Sequence, residues 1–125
     1  MSTPYELLGG ESGVRRLADE FYKVMAERKE AQKIRKMHSE NLSPIKEKLF
    51  MFLSGWMGGP DLYLMKHGTI CLSSPHAAYK IGSDERDQWL ACMDQALLNI
   101  EASEEVREML KEPMFQLADV MRNAD

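Results

Sequence analysis

The stretch Ser43-Pro-Ile-Lys-Glu-Lys-Leu-Phe-Met-Phe-Leu-Ser-Gly-Trp-Met-Gly-Gly-Pro60 decides the fold. Ile45, Leu49, Phe52, Leu53 and Trp56 fall at relative positions 0, 4, 7, 8 and 11, which is one face of a helix. Ser43 is the expected cap, with Pro44 at the first helical position, where a missing N–H costs nothing. Gly58-Gly59-Pro60 stops the segment, so the pattern predicts a helix over 43–57.

The same period recurs on both sides. Upstream, Val14, Leu17, Ala18, Phe21, Tyr22 and Met25 form one face of a helix over 12–28, with Ser12 as its expected cap. Before it, Tyr5-Glu-Leu-Leu reads as a single turn stopped by Gly9 and Gly10. The charged segment 27–37 predicts a short helix after a polar bend, with Ile34 and Met37 as its apolar contacts. Downstream, Trp89, Met93, Ala96, Leu97 and Ile100 repeat the same spacing and predict a helix over 84–101, capped by Ser83. Val106, Leu110, Leu117, Val120 and Met121 predict a last helix over 104–122, capped by Ser103 and kinked near Lys111 by Pro113. Residues 60–82 are irregular, with room for one or two helical turns, and hold two of the three histidines. A long irregular segment in a small domain points to function. No segment alternates like a strand. The class is all-α, in a single domain over 1–125.

Composition narrows the roles. Sixteen basic against 20 acidic residues give a net charge of −4, the wrong sign for general nucleic-acid binding. Cys71 and Cys92 are 21 positions apart and form no Cys-x-x-Cys pair, which suits reduced thiols better than a disulfide framework or a zinc site. There is no signal-peptide pattern and no apolar run of membrane-spanning length, so the expectation is a cytoplasmic protein without a membrane partner.

The chemistry-bearing residues are few. His38, His67 and His76 are the only histidines, and no His-Glu-x-x-His helix is present. Zinc usually takes three or four protein ligands, whereas a haem iron needs one on its proximal side. An isolated histidine is nevertheless more often a surface residue. The ten methionines fall mostly on helix stripes and suit an adaptable core better than metal ligation. Tyr22 and Trp89 sit on faces expected to be buried, where their O–H and N–H need partners or aim into a pocket. Acidic pairs such as Glu104-Glu105 are explained by the helix dipole.

Several segments together resemble the group II truncated haemoglobins. They are Phe21-Tyr22, Leu53-x-x-Trp56-x-Gly58-Gly59-Pro60-x-x-Tyr63, His67-Gly68, His76-Ala77-x-x-x-Ile81-Gly82 and Glu85-Arg86-Asp87-x-Trp89-Leu90-x-Cys92-Met93. The resemblance runs in unbroken order from about residue 5 to residue 100. It implies a globin-like two-over-two helical sandwich around haem b, with His76 as the proximal iron ligand. It implies Tyr22 and Trp89 as distal hydrogen-bond donors to a bound diatomic ligand. Ile45, Leu49 and Phe52 would form the apolar distal wall, and Tyr79, Ile81 and Met93 would also touch the haem. His38 lies where the family carries a tyrosine, phenylalanine or histidine. There it would act as a third distal donor, as a sixth iron ligand in a bis-histidine state, or as a surface residue. The family often has Arg-x-Arg before the proximal histidine, but here Ser73-Ser74-Pro75 stand there. Lys48, Tyr63 and Lys80 would then have to meet the haem propionates.

The resemblance implies reversible binding of O₂, NO, CO or similar ligands. Two alternatives belong to other classes. One is haem-based detoxification of NO, nitrite or peroxide, which needs an external reductase partner because the chain has no flavin or nicotinamide motif. The other is a haem-free helical interaction domain.

Overall fold

The structure is a computed structural model that describes residues 2–68, His76 and residues 79–124. Two short turns of helix, Pro4–Leu7 and Leu62–His67, accompany four long helices: Gly10–Glu27, Ser43–Trp56, Ser83–Asn99 and Glu104–Val120. These are called here the first to fourth long helices. The charged segment forms a 3₁₀ turn, Lys29–Ala31, and a helical turn, Gln32–Arg35, which bury Ala31 and Ile34. There is no strand among the described residues, and no helix there is long and apolar enough to cross a membrane. Cys71 and Ser73-Ser74-Pro75 lie outside the described residues.

The helices pack as two layers. The first long helix lies against the second, the third against the fourth, and the first also packs on the third, which joins the pairs. All the expected stripe residues of the first helix, Val14, Leu17, Ala18, Phe21, Tyr22 and Met25, are buried. Its start differs from the expectation. The cap is Gly9 rather than Ser12, whose hydroxyl donates back to the Gly9 carbonyl at 3.4 Å. Gly9 and Gly10 both hold positive φ, 103° and 72°, so the chain turns from Pro4–Leu7 directly into the helix two residues early.

The other starts also shift. Leu42 caps the second helix, and the Ser43 N–H donates to Asn41 Oδ1 at 3.1 Å, leaving Ser43 as the first helical residue. Gly82 caps the third, its N–H donating to Glu85 Oε1 at 2.8 Å. Ser103 caps the fourth as expected, accepting from the Val106 N–H at 3.3 Å. That helix runs through Pro113 as one element. Its buried face is Val106, Leu110, Met114, Leu117 and Ala118, while Val120, expected in the core, is 59% exposed.

Gly58-Gly59-Pro60 does more than stop the second helix. Gly58 has φ 97°, and a Cβ on Gly59 would run into the Tyr5 ring. The turn is therefore a seat for the N-terminal segment, held further by Tyr5 N–H to Met57 O at 3.0 Å and Ser54 Oγ to Pro60 O at 2.7 Å. This fixes the end of the helix that forms one wall of the cavity described next.

Candidate functional site

The first long helix places Tyr22 one residue beyond Phe21, the edge of its buried stripe. Phe21 is wedged between Tyr22 and Trp89, with ring centroids 4.9 Å and 5.2 Å away. This apolar wedge fixes both polar aromatics at the mouth of the interior. They open on a cavity of about 440 Å³, within the range typical of small-molecule and cofactor pockets.

One wall of the cavity is Ile45, Lys48, Leu49 and Phe52 of the second helix. These follow the helical spacing, yet Ile45, Leu49 and Phe52 are only half-buried, and the deeper core positions are Phe50, Met51 and Leu53. His76, Tyr79 and Ile81 line the cavity as well, and so does Tyr63, its ring 6.3 Å from Phe52. Of the residues expected at the site, Tyr22, Trp89, His38, His76, Ile45, Lys48, Leu49, Phe52, Tyr63, Tyr79 and Ile81 line this one cavity. Met93 does not. It is fully buried in the core between helices, because one turn beyond Trp89 the third helix has already passed beneath the first. Lys80, named as a candidate propionate partner, is not among the lining residues either.

Glu85, Arg86, Leu117 and Met121 also line the cavity, a place that the sequence did not assign them. Glu85 stood in a motif but its place in a first helical turn explained it already. Met121 was assigned to the fourth helix, yet that helix ends at Val120. Glu85 is 6% exposed and pairs with Lys33 Nζ at 3.0 Å. The Gly82 N–H and then Lys33 hold its carboxyl below the usual range. Arg86 is committed to Asp119 at 2.9 Å and Asp87 at 3.0 Å.

The polar groups facing the cavity differ in state. Tyr22 is 4% exposed, its hydroxyl makes no hydrogen bond with a described residue, and burial pushes its pKa up, so it remains a protonated donor. His38 sits with its ring 5.6 Å from that of Tyr22, edge to face. Its Nδ1 lies 2.8 Å from the Ile34 carbonyl. A carbonyl only accepts, so Nδ1 carries the proton and Nε2 of the neutral ring has a bare lone pair. Burial first, and then the charges of Arg35 and His76, lower the His38 pKa against the opposing Ile34 bond. The neutral ring therefore prevails at neutral pH, and its one donor is already used. This argues against His38 as a third distal donor and leaves an acceptor or ligand role.

The arrangement suits a largely apolar cofactor. It has an apolar wall whose residues stay half-exposed, a histidine, and a phenol without a described partner, all lining one cavity. Lys48 also lines it, a cation suited to a negatively charged group.

Comparison with known proteins agrees. Residues 3–123 match the family model for bacterial-like globins. The chain is 31% identical over 109 residues to the group 2 truncated hemoglobin YjbI of Bacillus subtilis (strain 168), covering 87% of this chain and 80% of that one. Among solved structures, it is similar to the cold-adapted truncated hemoglobin of the Antarctic marine bacterium Pseudoalteromonas haloplanktis TAC125, with 43% identity, a TM-score of 0.92 and 98% of each chain covered. It is also similar to the group II 2-on-2 hemoglobin of Agrobacterium tumefaciens, with 36% identity, a TM-score of 0.93, and 100% of this chain and 97% of that one covered. The chain thus belongs to the bacterial-like globins, with a two-over-two fold, and haem, usually haem b, is the cofactor that membership implies.

Proposed function

We propose that this chain holds haem in the cavity between His76 and the second long helix, and reversibly binds O₂ or another diatomic ligand on the side of Tyr22 and Trp89. Bound haem would supply an iron centre able to take such a ligand. The observation that carries the reading is Tyr22, buried and protonated, whose hydroxyl has no described partner in a cavity walled on the second helix by Ile45, Leu49 and Phe52. A buried donor without a partner is costly unless a ligand accepts from it.

The residues divide the work. His76 offers its imidazole from one side. Ile45, Leu49 and Phe52 exclude water, which strengthens each polar contact that remains. Tyr22 and Trp89 donate O–H and N–H to an electron-rich ligand. The His38 Nε2 lone pair is the group suited to occupy the sixth position when no ligand is present. Lys48 meets a propionate, since Arg86 is already paired.

Absorption spectra of the ferric and reduced protein test this, for the wild type and for His76→Ala and His38→Ala. The wild type is expected to show a Soret band that is lost or strongly altered in His76→Ala. A low-spin ferric component is expected to disappear in His38→Ala, and its persistence would remove His38 as sixth ligand. A colourless protein after haem addition would overturn the whole reading in favour of an interaction domain. Tyr22→Phe is expected to speed O₂ release by about tenfold, the loss of one hydrogen bond in a dry pocket, as read by stopped-flow displacement.

A further inference from the structure

The fourth long helix ends at Val120, but the chain beyond it is not a loose end. Met121 lines the cavity. Two residues on, Asn123 grips the backbone that carries His76. Its Nδ2 donates to the Tyr79 carbonyl at 2.7 Å and to the His76 carbonyl at 3.3 Å. Its Oδ1 accepts from the Ile81 N–H at 2.8 Å. Its own backbone N–H and that of Ala124 both donate to the Ile81 carbonyl, at 2.8 and 3.0 Å.

The grip is anchored to the body of the fold. Asp119 Oδ1 accepts from Arg122 Nε and from Arg86 Nη1, each at 2.9 Å, which ties the end of the fourth helix to the third. Arg122 Nη1 then donates to the Ala124 carbonyl at 3.2 Å, fixing the turn that presents Asn123. Asn123 is itself exposed, so its side chain contributes no packing that could explain this arrangement. An amide is the one small side chain that can donate twice and accept once here.

We infer that Asn123 is a positioning residue for the proximal side of the site: it sets the height and angle of His76 by clamping the main chain at positions 76, 79 and 81. The inference rests on the reading of His76 as the iron ligand. The clamp works as outer-shell partners do for metal ligands, through orientation rather than contact with the metal.

The test uses the haem-loaded full chain and compares wild type, Asn123→Ala and Asn123→Asp. Three readouts are taken: amide hydrogen exchange at Ile81, the iron–histidine stretching band of the reduced protein, and the rate of haem transfer to an acceptor globin. Asn123→Ala is expected to lose Ile81 protection, to shift or broaden the band, and to release haem about tenfold faster, with protection in the first long helix unchanged. Asn123→Asp keeps the acceptor for Ile81 and loses both donors, so it should restore Ile81 protection while the band stays altered. Lost Ile81 protection with an unchanged band and haem release would mean that Asn123 only pins the tail, and the inference would be wrong. His76→Gly supplies the separate control: a wild-type spectrum there would overturn the ligand assignment itself, whatever Asn123 does.

Discussion

The first and second long helices carry the same kind of apolar stripe and use it differently. In the first, Val14, Leu17, Ala18, Phe21 and Met25 are all buried against other helices. In the second, Ile45, Leu49 and Phe52 are spaced as regularly but stay half-exposed on the cavity, while Phe50, Met51 and Leu53 make the protein core. Periodicity reports that a helix face avoids water. It does not report whether that face meets protein or a cofactor. The difference is energetic: the first stripe stabilises the chain alone, and the second contributes in full only when the cavity is filled.

Among truncations of stripe residues, the largest effect should therefore come from the first helix. Leu17→Ala is expected to destabilise the chain by about 3 kcal/mol, the usual result of deleting a fully buried leucine side chain. The loss should be similar with and without haem, as measured by urea unfolding of both forms. Leu49→Ala should behave otherwise. In the haem-free chain the cost is expected to be about 1 kcal/mol or less, since little apolar area is lost from a half-exposed site. In the loaded protein the same change should weaken haem retention. Equal losses in the two forms for Leu49→Ala would erase the distinction between the stripes.

The legible parts of this molecule are those written in local pattern. Tyr22, Ile45, Leu49 and Phe52 sit where helical spacing puts them, and the resemblance added His76 and Trp89 as candidates. The helix starts were misread because caps are settled by competition among neighbours. Asn41 reaches Ser43, and Glu85 reaches Gly82, so in each case the serine becomes part of the helix rather than its cap. Met93 shares a stripe with Trp89 but does not line the cavity, because the crossing of the first and third helices decides where that stripe leaves it. The pairing of Glu85 with Lys33 and the roles of Met121 and Asn123 depend on contacts between segments far apart in the chain, which no local pattern encodes.

Glu85 gives a smaller effect with a defined sign. Its carboxyl is held below the usual range first by the Gly82 N–H and then by Lys33. A folded-state pKa below the unfolded value of about 4.3 means that the ionised carboxylate stabilises the fold above that pH and ceases to as pH falls through the depressed value. Glu85→Gln is therefore expected to be less stable than wild type at pH 7. The gap should close as both are taken into acid, in parallel thermal unfolding series. A gap independent of pH would show that the side chain acts by shape rather than charge. The bond to Lys33 contributes the minor share, because the lysine end is well exposed and screened.

The smallest effect tests the comparison on a third helix. Val120 belongs by spacing to the stripe of the fourth long helix, yet it is exposed, while Ala118 and Met114 are in the core. The last turn faces away because the chain is about to leave the helix and reach across to Ile81, with Met121 turned to the cavity. A stripe position that meets neither protein nor cofactor should tolerate charge. Val120→Lys is expected to change stability by no more than about 0.5 kcal/mol, whereas Met114→Lys would force a charge into a packed interior and should prevent stable folding. The two positions lie on one helix, so their contrast isolates burial from propensity. A large loss for Val120→Lys would mean that the helix end is covered in solution, and the register inferred for the fourth stripe would have to turn with it.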